Sequence, residues 1–66
     1  MNVAHQLGIK HAQWIASLNP GNAIKACDLH DLHFPFVTNE WFGSDAMHDD
    51  YWTAFWVTLE GMDYGK

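Results

Sequence analysis

Between residues 3 and 18 the chain repeats an apolar or aromatic side chain at helical spacing. Val3, Leu7, His11, Trp14 and Leu18 fall four, four, three and four residues apart, with Ile15 beside them. That period predicts an amphipathic helix with this line turned to a core. Asn2 is the candidate cap. Gly8 weakens such a helix by about 1 kcal/mol relative to alanine. The run Asn19-Pro20-Gly21-Asn22 breaks the pattern, because proline cannot continue a helix and glycine tolerates left-handed backbone. Asn19 and Pro20 also read as the cap and first-turn pair of a second helix over 22–33. Its apolar positions are Ile24, Cys27, Leu29 and Leu32; the alternative for 28–33 is an irregular turn.

Pro35 disfavours helical backbone at Phe34, so 33–38 is expected to be extended, as a bridge over the core or a short strand. Asn39 to Gly43 is expected to turn. The strongest helix signal covers 45–60, with Ser44 or Asp45 as cap and Asp49 and Asp50 following early. Met47, Tyr51, Phe55 and Leu59 form one apolar line, extended by Thr58 and Met62. Trp52 and Trp56 form a second line, while Asp49, Thr53 and Glu60 mark the polar face. Gly61 is placed to end this helix, and Gly65 whatever follows it. The expected fold is therefore one mostly α domain over 1–66. Two shorter helices pack on a longer C-terminal one, and a two-stranded element near 34–42, in an α+β arrangement, is the alternative.

Sixty-six residues limit what this pattern can enclose. A chain this short buries only about 60% of its unfolded surface and is marginally stable. Hydrophobic residues make up 48% of it, including four Trp, four Phe and two Tyr, which excludes a disordered tail. So many aromatics exceed one small core, which leaves some for a partner or a self-association face. Trp14, Trp41, Trp52 and Trp56 divide between these roles, with core the commoner fate. The single cysteine, Cys27, permits no internal disulfide and is expected to be a small buried core residue; a reactive thiol is the sharper reading. Its lack of a disulfide partner fits a reducing cytoplasm. The start of the chain shows no signal-peptide pattern, and no stretch approaches the ~20 apolar residues of a membrane span.

Charge changes the picture more than composition does. All eight carboxylates, Asp28, Asp31, Glu40, Asp45, Asp49, Asp50, Glu60 and Asp63, lie between residues 28 and 63. Residues 26 to 65 contain no Lys or Arg, and the basic side chains are Lys10, Lys25 and Lys66. Ordinary surfaces mix both signs. A one-signed surface repels nucleic acid and acidic membranes and attracts basic grooves. Net charge is −5 with the five histidines neutral and zero with all of them protonated. With ordinary histidines, that neutralisation falls between roughly pH 7.5 and 5.5.

Chemistry-bearing motifs are few. In Asp28-Leu29-His30-Asp31-Leu32-His33, the two histidines and the two aspartates are each three apart, and His48 with Asp49 could complete a metal site. No zinc-finger or metalloprotease spacing accompanies them, so a hydrogen-bonded polar segment without metal is the expected reading. Ser17 and Ser44 lack a nucleophile-elbow context, and Cys27 with His30 is a weak pair. The chain holds no phosphate-binding glycine loop and is too short for a sizeable cleft. No enzyme activity and no cofactor are expected.

In its small size, its acidity and its lack of catalytic signatures, the chain resembles small anti-defence proteins of phages and mobile elements, such as anti-CRISPR proteins and nucleic-acid mimics. The resemblance is one of general character and carries over no residue. It implies an inhibitor that occupies the basic nucleic-acid channel of a host effector in the host cytoplasm. On this reading Asp28, Asp31, Asp45, Asp49 and Asp50 face the groove, and Trp52 and Trp56 are exposed anchors. The alternative is an obligate small subunit or homodimer built on the wide aromatic face. A metal-binding module through His30, His33 and His48 is a distant third.

Direct binding to DNA or RNA is not expected, because three cations against eight carboxylates supply no counterion release. A gel-shift assay with generic duplex at low salt should show free nucleic acid only. Tight binding there would overturn the electrostatic reading.

Overall fold

In the computed structural model, residues 3–19 and 24–62 are described. They form α1 (Val3–Leu18), α2 (Ala26–His33), α3 (Asn39–Phe42) and α4 (Asp45–Gly61). The fold is mostly α. The two-stranded element expected as an alternative near 34–42 is absent among the described residues, since that segment is a turn followed by α3. No helix of the described residues is long and apolar enough to cross a membrane. Asn2, residues 20–23 and residues 63–66, with the cap and stop signals read there, lie outside the described residues.

The main packing joins α1 to α4. On α4 the expected line holds: Tyr51, Phe55 and Leu59 are fully buried and Met47 is half-buried. Met62, read as an extension of that line, is exposed. Each such large side chain contributes about 1.5–3 kcal/mol by leaving water. On α1 the buried face is Ala4, Gly8, Ala12 and Ile15. The expected line lies to one side of it. Val3, Trp14 and Leu18 are exposed, and Leu7 and His11 are half-buried.

The small buried face of α1 has a steric cause. Helix separation depends on the side chains at the contact, and small residues let two backbones approach closely. At Gly8 the approach is at its limit. A Cβ there would fall on the Tyr51 carbonyl oxygen, closer than real Cβ contacts occur, and would sit 3.1 Å from both Ala54 Cβ and Phe55 N. Glycine at this position is therefore required by packing and not by backbone conformation.

α2 starts later than expected. Its N-cap is Lys25, which makes no side-chain cap bond. Asn19 closes the preceding loop instead, donating from Nδ2 to the Ile24 carbonyl at 2.5 Å and accepting from Ile24 N–H at 3.2 Å. Ala26 and Leu29 supply the buried face, with Ile24 and Leu32 exposed. Cys27, expected in the core, is exposed, with Sγ 3.9 Å from Asp28 Oδ1. The eight residues of α2 offer one narrow apolar stripe, and Ala26, Leu29 and His30 occupy it.

After α2 the chain turns through Pro35 and Phe36, with Val37 N–H donating to the Phe34 carbonyl at 3.1 Å. Val37 is buried against Ala4 and Tyr51. Thr38 caps α3 by accepting from Trp41 N–H at 3.2 Å, and Gly43 ends it with φ 79°, a left-handed conformation that favours glycine. Ser44 caps α4, accepting from Met47 N–H at 3.1 Å. α4 ends at Gly61 with no left-handed residue, so the expected glycine stop acts by position only.

Gly8→Ala tests the close crossing. Helix propensity favours alanine by about 1 kcal/mol. Overpacking against a backbone carbonyl costs about 1–3 kcal/mol and should prevail. Urea denaturation should show the variant less stable than wild type. A more stable Gly8→Ala would mean that the helices are not so close.

Candidate functional site

Three helices meet at one hydroxyl. Tyr51 of α4 is fully buried, and His30 of α2 is 2% exposed. Tyr51 Oη lies 2.5 Å from His30 Nε2 and 2.7 Å from His11 Nδ1 on α1. A phenol has one proton to donate. With both imidazoles neutral, one ring nitrogen therefore accepts the Tyr51 O–H, and the other donates its N–H to the Tyr51 oxygen. A single added proton still leaves a complete pattern, whereas two would leave the hydroxyl hydrogen without an acceptor.

Burial sets the charge of this cluster. Desolvation lowers the pKa of His11. Desolvation, with the neighbouring His11 second, holds His30 down to about 4, and Asp31 opposes this in part. Desolvation also raises the Tyr51 phenol well above its ordinary range. The expected neutralisation of five histidines between roughly pH 7.5 and 5.5 therefore fails for His30, and burial moves His11 in the same direction. The relay is neutral near pH 7, with Tyr51 and His30 buried and His11 half-buried.

An aromatic ridge lies over the cluster. Phe34 stacks on His11 with ring centres 3.9 Å apart and planes 7° from parallel. Phe34 meets Trp14 at 5.3 Å and Phe36 at 6.3 Å, and Phe36 meets Trp41 at 5.3 Å. Trp14, Phe36 and Trp41 are 45%, 51% and 49% exposed. The ridge thus runs from α1 across the α2–α3 connection to α3.

The tryptophans expected as anchors occupy a different place. Trp52 and Trp56 are half-buried and pack against the core side chains. Trp52 also donates from Nε1 to His48 Nε2 at 3.2 Å.

The five aspartates expected to face a groove form two groups along the chain. Asp28 and Asp31 lie on α2, and Asp45, Asp49 and Asp50 lie in the first turns of α4; all five are exposed. Asp45 accepts a hydrogen bond from Asn39 Nδ2, which ties the start of α4 to α3.

The metal candidates are not brought together. His30 is engaged by Tyr51, His33 packs edge-on to Trp14 at 4.9 Å, and His48 accepts from Trp52. Among the described residues no group of three or more His, Cys, Asp or Glu could hold a metal ion.

Sequence reasoning placed His11 and Tyr51 in separate apolar lines and missed their pairing. The available signal was that each carries a polar tip within an apolar line, and a buried polar tip requires a partner. No family model matches the chain, and no curated protein or solved structure shows significant similarity to it.

The His30 shift fixes the sign of a pH dependence. Above about pH 6.5 His30 is neutral in both folded and unfolded chains, and its contribution is fully present. Below that the unfolded chain takes up a proton that the folded chain refuses, down to about pH 4. Stability should therefore fall across this window, by on the order of 2–3 kcal/mol from His30. Urea midpoints measured across the window should decline for wild type, and the decline should be shallower in His30→Gln. An equally steep decline in the variant would assign the pH dependence to other groups.

Proposed function

We propose that this protein is a non-enzymatic binding protein that occupies the basic nucleic-acid-binding groove of a protein partner, as anti-CRISPR and nucleic-acid-mimic inhibitors do. One observation carries the reading. The seven described carboxylates, Asp28, Asp31, Glu40, Asp45, Asp49, Asp50 and Glu60, are all exposed, and the stretch from residue 26 to 62 that bears them contains no Lys or Arg. Such a surface presents to a groove the charge that a phosphate backbone presents. Two of the five histidines are held neutral below their ordinary range, so mild acid removes less of this negative field than the sequence suggests. Binding fits better than catalysis because, of the titratable groups that converge, Tyr51 and His30 are buried and His11 is half-covered, each engaged in the same hydrogen-bond relay. The partner and the setting follow from the resemblance: a host effector, met in the host cytoplasm.

A second reading is favoured by the exposed Trp14, Phe36 and Trp41. An obligate small subunit or homodimer would cover such a surface. The two readings separate by salt, since charge-driven binding weakens as salt rises and apolar burial scarcely responds.

The test is a partner isolated with the tagged protein from its native host, then titrated with an Asp-to-Asn series. Collective charge predicts small single effects: Asp49→Asn should cost about 1 kcal/mol. The combined Asp28, Asp31, Asp45, Asp49 and Asp50 variant should lose binding while its circular dichroism stays native. Asn at position 45 can still accept from Asn39 through its side-chain carbonyl, so α4 is expected to persist. A folded fivefold variant with wild-type affinity would assign the acidity to solubility.

A further inference from the structure

The two ends of the aromatic ridge lie on helices of different charge. At one end Lys10 precedes Trp14 by one helical turn on α1. At the other end Trp41 follows Glu40 on α3, and Asp45 is tied to the same short helix through Asn39. Phe36 and Trp41 meet edge to face, with centres 5.3 Å apart and planes 72° from parallel, and Trp41 also meets Phe42 at 5.0 Å, so the pair is held by neighbouring rings while part of its surface stays open. About half of each side chain is exposed. Glu40 and Asp45 are exposed as well, and Asp45 retains acceptor capacity beyond its bond to Asn39.

These features match one side chain in particular. A guanidinium is planar, stacks on an aromatic face and donates N–H groups in its own plane to a carboxylate at the rim. A lysine ammonium is a compact and more strongly hydrated charge, so it gains less from the same surface. We infer that the Phe36–Trp41 end of the ridge docks arginine side chains of a basic partner, with the exposed carboxylates of α3 and the start of α4 attracting their charge. This rests on the groove-binding reading above and deepens it, since it names arginine as the residue the surface selects.

The probes are a short peptide of alternating arginine and glycine and its lysine counterpart of equal charge, titrated calorimetrically into the intact protein at low salt. The arginine peptide should bind about tenfold more tightly. Trp41→Leu keeps an apolar side chain but removes the ring. It should bring the arginine peptide down to the lysine value and leave the lysine peptide unchanged. Trp14→Leu, at the Lys10 end, should change neither affinity by more than about twofold. Circular dichroism checks folding, and Phe36→Leu gives the same readout if Trp41→Leu does not fold. Equal and salt-sensitive binding of the two peptides would overturn the arginine inference while leaving the acidic reading intact. Failure of both peptides to bind would overturn both. Sedimentation showing a dimer that Trp41→Leu dissociates would instead assign the ridge to a second copy of the chain.

Discussion

The Tyr51 hydroxyl is the point on which three of the four helices depend. It joins α4 to α1 through His11 and to α2 through His30, in an interior where an unpaired ring nitrogen would be costly. The same residue governs the backbone packing. The Tyr51 carbonyl oxygen lies against Gly8, and His11 stands three residues further along α1, on the same side of the helix. The missing side chain at Gly8 lets α1 come close enough for His11 to reach the hydroxyl. One residue thus fixes both the separation of the helices and the polar register between them.

The aromatic surface is a consequence of that arrangement. Small residues occupy the α1 side of the crossing, so the large side chains of α1 must lie beside it or outside it. The Cα extents of 34 × 23 × 15 Å leave room for little more than one layer of core side chains. Tyr51, Phe55, Leu59 and Ile15 fill much of that layer. Trp14, Phe36 and Trp41 are left half in water, and the Phe34–His11 stack connects them to the buried relay beneath. The acidic side chains lie outside this layer, so the groove-binding and arginine-docking readings rest on a surface that the core geometry organises.

Much of the fold was legible along the chain. The α1 boundaries, the Ser44 cap and the buried Tyr51, Phe55 and Leu59 all follow from local chemistry. The buried face of α1 was not legible, because a hydrophobic period favours Val3, Leu7 and Trp14 over Ala4, Gly8 and Ala12. Only the identity of the opposing helix decides for the small residues. Cys27 misled for a related reason, since a cysteine near apolar residues reads as core until the short stripe of α2 is already occupied by Leu29 and His30. Among the candidate site residues, the exposure of the five aspartates was readable from their charge. The half-burial of Trp52 and Trp56, and the transfer of exposure to Phe36 and Trp41, required the tertiary packing.

The claim that holds this account together is that His30 is neutral, buried and hydrogen-bonded to Tyr51 at ordinary pH. Histidine ring resonances followed by NMR through an acid titration read it directly. The account predicts that the His30 ring stays neutral well below pH 6.5 and titrates near pH 4, or protonates only as the chain unfolds. A His30 that titrates reversibly near 6.5 in the folded protein would contradict it.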